Sequence, residues 1–254
     1  MSSPNMDEGL LEHFNRIEES HWWWVGRRQL LKQLLNKVNP KKVLDIGCGT
    51  GETLTFVRSL YPKADLFGID TSDVAIKFAK KRGHRNIVKA TALKLPFPDN
   101  TFDTVLFLDV LEHIKSDAQA LSESKRVLKP GGTIIITAPA LQFIWSKHDT
   151  MQDHVRRYTR RRIRYLSQKI GLKIEFLSYF NFILSAPIIM IRLLSNLKFF
   201  NNLSEYDNGM NFEIARKSLV NNLLAAIFTT EIKLLEFINY PIGISVGTAL
   251  KKSE

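Results

Sequence analysis

The side chains best suited to chemistry fall into three groups along the chain. The first is a carboxylate ahead of a glycine turn: Asp45, then Gly47, Gly49 and Gly51 at alternate positions, with Cys48 and Glu52 in and after the turn. Alternate glycines let the backbone turn tightly and let a ligand approach without meeting a Cβ. The second is Asp70, which closes the apolar run Leu66-Phe67-Gly68-Ile69. A carboxylate at the end of a strand can accept both hydroxyls of a ribose. The third group is polar and basic: Glu112-His113, then His148-Asp149, then His154-Val155-Arg156-Arg157-Tyr158. Imidazole titrates near neutral pH and can take a proton from a hydroxyl or an amine. Arginine forks grip phosphate and carboxylate. His148, Asp149 and His154 lack the spacing of a compact metal site and no cysteine joins them, so no metal is expected.

These residues need elements to hold them. The run Lys42–Ile46 reads as a buried strand. After the glycines, Leu54, Phe56, Val57 and Leu60 recur at helical spacing. Strand, glycine turn, helix opens a nucleotide-binding α/β domain. Further strands are expected at Ala64–Asp70, Asn86–Val88, Phe102–Leu108, Thr133–Thr137, Leu172–Tyr179 and 244–250. Helices are expected at 27–38, Ser72–Lys81, Ala118–Leu128 and Thr159–Ile170, with a short one near Leu10–Ile17. Asn39-Pro40 ends the second of these in chain order, and Lys129-Pro130-Gly131-Gly132 reads as a turn. In such a sheet the ligand lies at the C-terminal strand ends, where Asp45, Asp70 and the segment after Leu108 fall.

The glycine spacing narrows the ligand. A dinucleotide fingerprint needs Gly or Ala where Glu52 stands, and the Gly-Lys-Ser/Thr of a phosphate loop is absent. What remains, Asp-x-Gly-x-Gly-x-Gly over 45–51, resembles motif I of the class I S-adenosylmethionine (SAM) dependent methyltransferases. Gly68–Asp70, Ala90–Asp99, Phe107–Ile114 with its Glu-His, and the Leu-Lys-Pro-Gly-Gly segment at 127–132 resemble that family's later segments, in order. One departure stands out: the family's acidic residue in the second of these falls on Thr91.

The resemblance covers about 40–140. It implies an α/β fold: a Rossmann-like, seven-stranded mixed sheet with helices on both faces and an antiparallel last strand. It implies SAM as cofactor, held by Asp45, Gly47, Cys48, Gly49, Gly51, Asp70, Thr71, Thr91, Ala92 and Leu108. Thr91 and Ala92 would act through their backbone. A sulfonium and an ammonium suit the carboxylates of Asp45 and Glu52. For the transfer itself His148, His154 and His113 are the candidate bases, a backbone-bonded structural His113 being the plainer reading. Trp24, Asp149, Arg156, Arg157 and Tyr158 are the candidate acceptor contacts.

The rest of the chain supplies the particulars. Residues 1–39 read as a helical and aromatic lead-in, 40–180 as the SAM-binding core, 181–240 as a helical insertion between strands six and seven, and 241–254 as the last core strand. His21-Trp22-Trp23, Trp145–Asp149 and His154–Thr159 together resemble a bacterial subfamily associated with surface-glycan genes. That points to a small, lipid-linked or saccharide acceptor. Three consecutive tryptophans cannot all face one core, so at least one covers a neighbouring surface, a pocket mouth or a membrane interface, or else they clamp the N-terminus to the domain. The insertion is rich in Leu, Ile and Phe. Its stretches near 182–197 and 218–239 are interrupted by Pro187 and Arg192 and by Glu231, Lys233 and Glu236, so neither spans a bilayer. A cap over the acceptor is the first reading. Peripheral membrane contact through Phe199, Phe200, Arg192 and Lys198 is the second, and a dimer contact the third.

The net charge of +11 calls for an anionic partner. RNA methylation is therefore an alternative, disfavoured because no RNA-binding motif is visible. A non-catalytic SAM-binding module is another, disfavoured because Asp45, the glycines and Asp70 are all present. The single Cys48 cannot form an internal disulfide, and the first twenty residues carry no leader pattern, so a cytoplasmic protein is expected.

Overall fold

The computed structural model describes residues 8–195 and 219–254. Helices α1 (Glu8–Ile17) and α2 (Trp22–Val38) precede the sheet. The core then runs β1 (Lys42–Ile46), α3 (Glu52–Leu60), β2 (Asp65–Asp70), α4 (Asp73–Lys81), β3 (Ile87–Lys89), β4 (Phe102–Leu108), α5 (Asp117–Val127) and β5 (Leu128–Pro139). After it come α6 (Lys147–Met151), α7 (Arg160–Ile170), β6 (Lys173–Phe180), α8 (Ser185–Ser195), α9 (Leu219–Leu234) and β7 (Ser245–Lys251).

The seven strands form one sheet in the order β3-β2-β1-β4-β5-β7-β6. The pairs among β1 to β5 are parallel, while β7 is antiparallel to both β5 and β6. This is the expected mixed sheet. The chain leaves β1 for β2 and β3, then returns to place β4 on β1's other side. The order reverses at that point, and a crevice opens at the C-terminal ends of β1 and β4.

One face of the sheet packs on α5 and α7 through Leu121, Val127, Ile163 and Leu166 against Phe102, Phe107 and Ile134. The other packs on α2, α3 and α9 through Leu31, Leu35, Leu54, Val57, Phe228 and Ile232 against Val43, Leu106 and Ile135. Central strands are apolar on both sides because both faces are covered.

Two expectations need correction. Lys129–Gly132 is not a turn before β5 but part of it. Phe102 pairs with Leu128 and Thr104 with Thr133, so the intervening residues are absorbed as an irregularity in the ladder. And α2 starts at Trp22, earlier than expected, because His21 caps it, its ring nitrogen accepting the Trp23 N–H.

The tryptophans are explained by that start. On successive helix positions they diverge. Trp24 is buried, edge-on to Phe14 and His21 at 5.3 and 5.2 Å. Trp22 and Trp23 turn the other way onto Phe228 of α9, and Trp23 also stacks on Phe180. This packing matches the clamp reading, and Trp24, expected as an acceptor contact, is buried against Phe14 and His21. A Cβ at Gly26 would lie 2.0 Å from Phe228, so glycine is what lets α9 approach α2. Asn221 ties the same helices, accepting the Trp22 N–H and donating to the Ser20 carbonyl. Glu231 of α9 accepts the N–H groups of Phe182 and Ile183. Helix α9 is thus packed on α2 and tied to the residues just after β6. Phe199, Phe200 and Lys198, singled out for a membrane interface, lie outside the described residues, as does the side chain of Arg192.

Candidate active site

The crevice between β1 and β4 is lined first by the glycine turn. The N–H groups of Gly47 and Cys48 both reach the Ile69 carbonyl, which pins the turn to the end of β2. Gly49 has φ +52°, and its N–H donates to Asp70 Oδ2 at 2.9 Å. A Cβ at Gly49 would meet nothing within 4 Å, so the turn faces open space there. The Cys48 thiol is buried against Gly68, and burial pushes its pKa well up. It packs and is a poor nucleophile.

Asp70 sits at the C-terminal end of β2, its second oxygen accepting the Ser72 N–H at 2.9 Å. Ser72, not Asp70, caps α4. Each Asp70 oxygen thus has one backbone donor and keeps acceptor capacity for a ribose hydroxyl. Thr71 follows it. Thr91 and Ala92 lie in the loop after β3, where the Thr91 hydroxyl accepts the Leu93 N–H. Leu108 ends β4 and offers its carbonyl to Arg27 at 3.3 Å.

Asp45 is buried at the end of β1, and burial raises its pKa to about 7. Arg27 opposes that shift, while Asp70 and Glu52 reinforce it. A buried carboxylate beside an open turn fits a cationic ligand, and Asp70 ends the adjacent strand. The donor set therefore fits SAM. Glu52, expected to share this role, is instead paired with Arg28 at 2.8 Å. Above the turn, the residue after α1, Glu18, accepts from the Thr50 hydroxyl and pairs with Arg82.

After β4 the chain turns sharply. Asp109 has φ +58°, rare for a non-glycine residue. Its carboxylate is held by Arg27 at 2.9 Å and by the Thr137 hydroxyl at 3.1 Å. A short 3-10 turn, Leu111–His113, then aims Glu112 and His113 at the segment after β5. The Val155 N–H donates to the Glu112 carbonyl, which brings His154 beside them. The His113 and His154 rings meet edge-to-face, centroids 4.8 Å apart.

Asp149 organises this region from beneath. Its carboxylate bonds His154 Nδ1 at 2.9 Å, Arg157 Nη2 at 2.8 Å and the Ser146 N–H at 3.0 Å. Burial alone would raise its pKa; these partners outweigh burial and hold the carboxyl well below the usual range. Burial and the neighbouring His154 lower His113 to about 4, so it is neutral at physiological pH.

Of the expected site residues, the fold brings His113, His154 and Asp149 together. The His148 side chain lies outside the described residues. The arginines expected to grip an acceptor are engaged internally. Arg156 pairs with Asp117 and donates to the Ile114 and Lys115 carbonyls. Arg157 is buried against Asp149 and the Ala140 carbonyl. Tyr158 is fully buried, its hydroxyl on Asp117. These three fasten the post-β5 segment to the sheet. The sequence reading missed Arg27 and Asp109 as site residues and gave Glu112 no role of its own. The two arginines after the tryptophans and the acidic pair flanking Val110-Leu111 were the available signals.

Comparison with known proteins agrees with this geometry. Residues 44–136 match the family model described as a methyltransferase domain. A demethylmenaquinone methyltransferase of Anoxybacillus flavithermus is 32% identical over 140 residues, covering 50% of this chain and 58% of that protein. This chain thus spans less than two thirds of that relative's length. Among solved structures, a SAM-dependent methyltransferase from Thermotoga maritima superposes with a TM-score of 0.61 at 20% identity, covering 96% of each chain. A Haemonchus contortus phosphoethanolamine N-methyltransferase in complex with S-adenosylhomocysteine superposes at 0.56 with 21% identity, over 89% of this chain and 52% of that one. At those identities the structures speak for the fold. Strand order, glycine turn and Asp70 agree with that match: residues 44–136 are similar to a methyltransferase domain and are set in the Rossmann-like α/β sheet that the superposed methyltransferases share.

Proposed function

We propose that this chain transfers a methyl group from SAM to a small acceptor carried on a lipid or a saccharide. The observation that carries the reading is Asp70 at the end of β2, hydrogen-bonded to the Gly49 turn beside the β1–β4 crevice. Asp70 would hold the ribose, Asp45 would face the positive end of the cofactor, and the loop at Thr91–Ala92 would border the adenine. The bound cofactor supplies an activated methyl group. The chain's own part is to orient an acceptor in line with that methyl and keep water away. The acceptor side is the wall after β4 and β5, where Glu112, His113 and His154 converge.

The lipid part of the reading draws on the surface. Leu219, Val220 and Leu223 of α9 and Phe237 and Ile238 after it are exposed. With a net charge of +11, such an apolar edge suits an anionic membrane surface. No helix among the described residues is long and apolar enough to cross a membrane.

Calorimetric titration with S-adenosylhomocysteine tests the cofactor half, with micromolar binding expected. Incorporation of label from methyl-labelled SAM into lipid-linked saccharides, with RNA as the control acceptor, tests the other half. A folded protein that binds no S-adenosylhomocysteine would end the methyltransferase reading. Label appearing in RNA alone would end the small-acceptor reading.

A further inference from the structure

We propose that Glu112, His113 and His154 form a binding site for one divalent first-row metal ion, with at least one coordination position left to an outside oxygen ligand. One ligand atom from each residue comes together, all within 4.8 Å of one another, although the residues lie on two segments. The short turn after β4 supplies two and the segment after β5 the third.

Three observations point to an ion rather than to three side chains that happen to be near. First, Glu112 is 1% exposed and its Oε2 is buried with no hydrogen-bond partner among the described residues. An orphaned carboxylate oxygen of this kind is costly and calls for an occupant. Second, the His154 ring is held on an outer acceptor, its Nδ1 on Asp149 at 2.9 Å. That leaves Nε2 to offer a lone pair, as metal-ligating histidines are held. Third, the surrounding charge is arranged for a cation. Arg27 and Arg157, the cations acting on Glu112, are paired off by Asp109 and Asp149. Among the described residues neither arginine forms an ion pair with the Glu112 carboxylate.

Two imidazoles and one carboxylate suit zinc, iron, cobalt or manganese better than magnesium or calcium. An ion ~2.1 Å from each donor needs donors about 3.4 Å apart, so the side chains close by about an ångström. Three protein ligands with a vacant position is the arrangement of a catalytic rather than a structural ion. This site rests on geometry alone. Only its service to an acceptor oxygen depends on the methyltransferase reading.

The test is to titrate chelator-stripped protein with cobalt(II) and follow the visible absorption, with zinc(II) calorimetry beside it. One ion per chain is expected, with cobalt bands that shift when azide is added. Glu112→Gln and His113→Asn should each weaken zinc binding at least tenfold, while S-adenosylhomocysteine titration and the thermal melt report that the variants remain folded. Asp149→Asn should weaken it by ~10- to 100-fold through His154. Wild-type protein that takes up no stoichiometric cobalt or zinc overturns the proposal, whatever the variants do. So do folded variants that bind zinc as tightly as wild type. Cobalt bands indifferent to azide overturn the open position. Loss of S-adenosylhomocysteine binding with zinc binding intact would strike the cofactor reading and leave this site standing.

Discussion

Replacing Asp70 by alanine separates a ribose acceptor from a structural cap. In the folded protein the carboxylate accepts two backbone N–H groups, those of Gly49 and Ser72, each at 2.9 Å. With cofactor present it would also accept two ribose hydroxyls. A hydrogen bond to a charged group contributes about 1.5–3 kcal/mol, and water recovers part of the loss in an open crevice. The variant should therefore lose about 1–3 kcal/mol of binding, or roughly 5- to 150-fold in Kd. The glycine turn is also pinned by the Gly47 and Cys48 N–H groups on Ile69, so the fold should survive. Calorimetric titration with S-adenosylhomocysteine measures the loss. Asp73→Ala is the control: Asp73 lies three residues on and pairs only at the surface with Lys89, so its affinity should be unchanged. If folded Asp70→Ala bound as tightly as wild type, the ribose assignment would be wrong and Asp70 would serve only to close the turn.

Other outcomes follow from the same contacts. Burial holds Asp45 protonated to about pH 7, against 3.8 for the free side chain. That stabilises the ligand-free fold at low pH and is lost as pH rises from 3.8 through 7. Asp45→Asn should thus raise Tm relative to wild type at pH 8 and much less at pH 4, while weakening S-adenosylhomocysteine binding. Asp149 behaves oppositely: its depressed carboxyl stabilises the fold above the ordinary Asp range and the contribution disappears as pH falls below it. Arg157→Met leaves Asp149 buried with one partner fewer and should cost about 3–5 kcal/mol in urea unfolding. Phe228→Ala removes a fully buried ring shared by Trp22, Trp23 and Phe180 and should cost about 3–5 kcal/mol, lowering Tm by on the order of 10 °C.

What could be read from the residues alone was the half of the site built from contiguous sequence. Asp45, the three glycines and Asp70 each stand on one strand or one turn. Spacing along one strand and one turn therefore determines where they stand. The alternation of apolar runs and helical spacing likewise determined a parallel sheet with the crevice at one end. The same local logic failed where a side chain's role depends on what another segment brings to it. Arg156, Arg157 and Tyr158 read as free cations and an aromatic, yet Asp117 and Asp149 claim them, and neither acid is near them in a regular pattern. Trp24 read as an acceptor contact, but α1 folds over and places Phe14 against its buried ring. The meeting of Glu112 and His113 with His154 belongs to the tertiary structure altogether. It exists because β4 and β5 are neighbours, which brings the segments that follow them onto one wall. Short-range spacing carries information only about residues on the same element; burial, pairing and the resulting pKa shifts are set by which elements the sheet order makes adjacent.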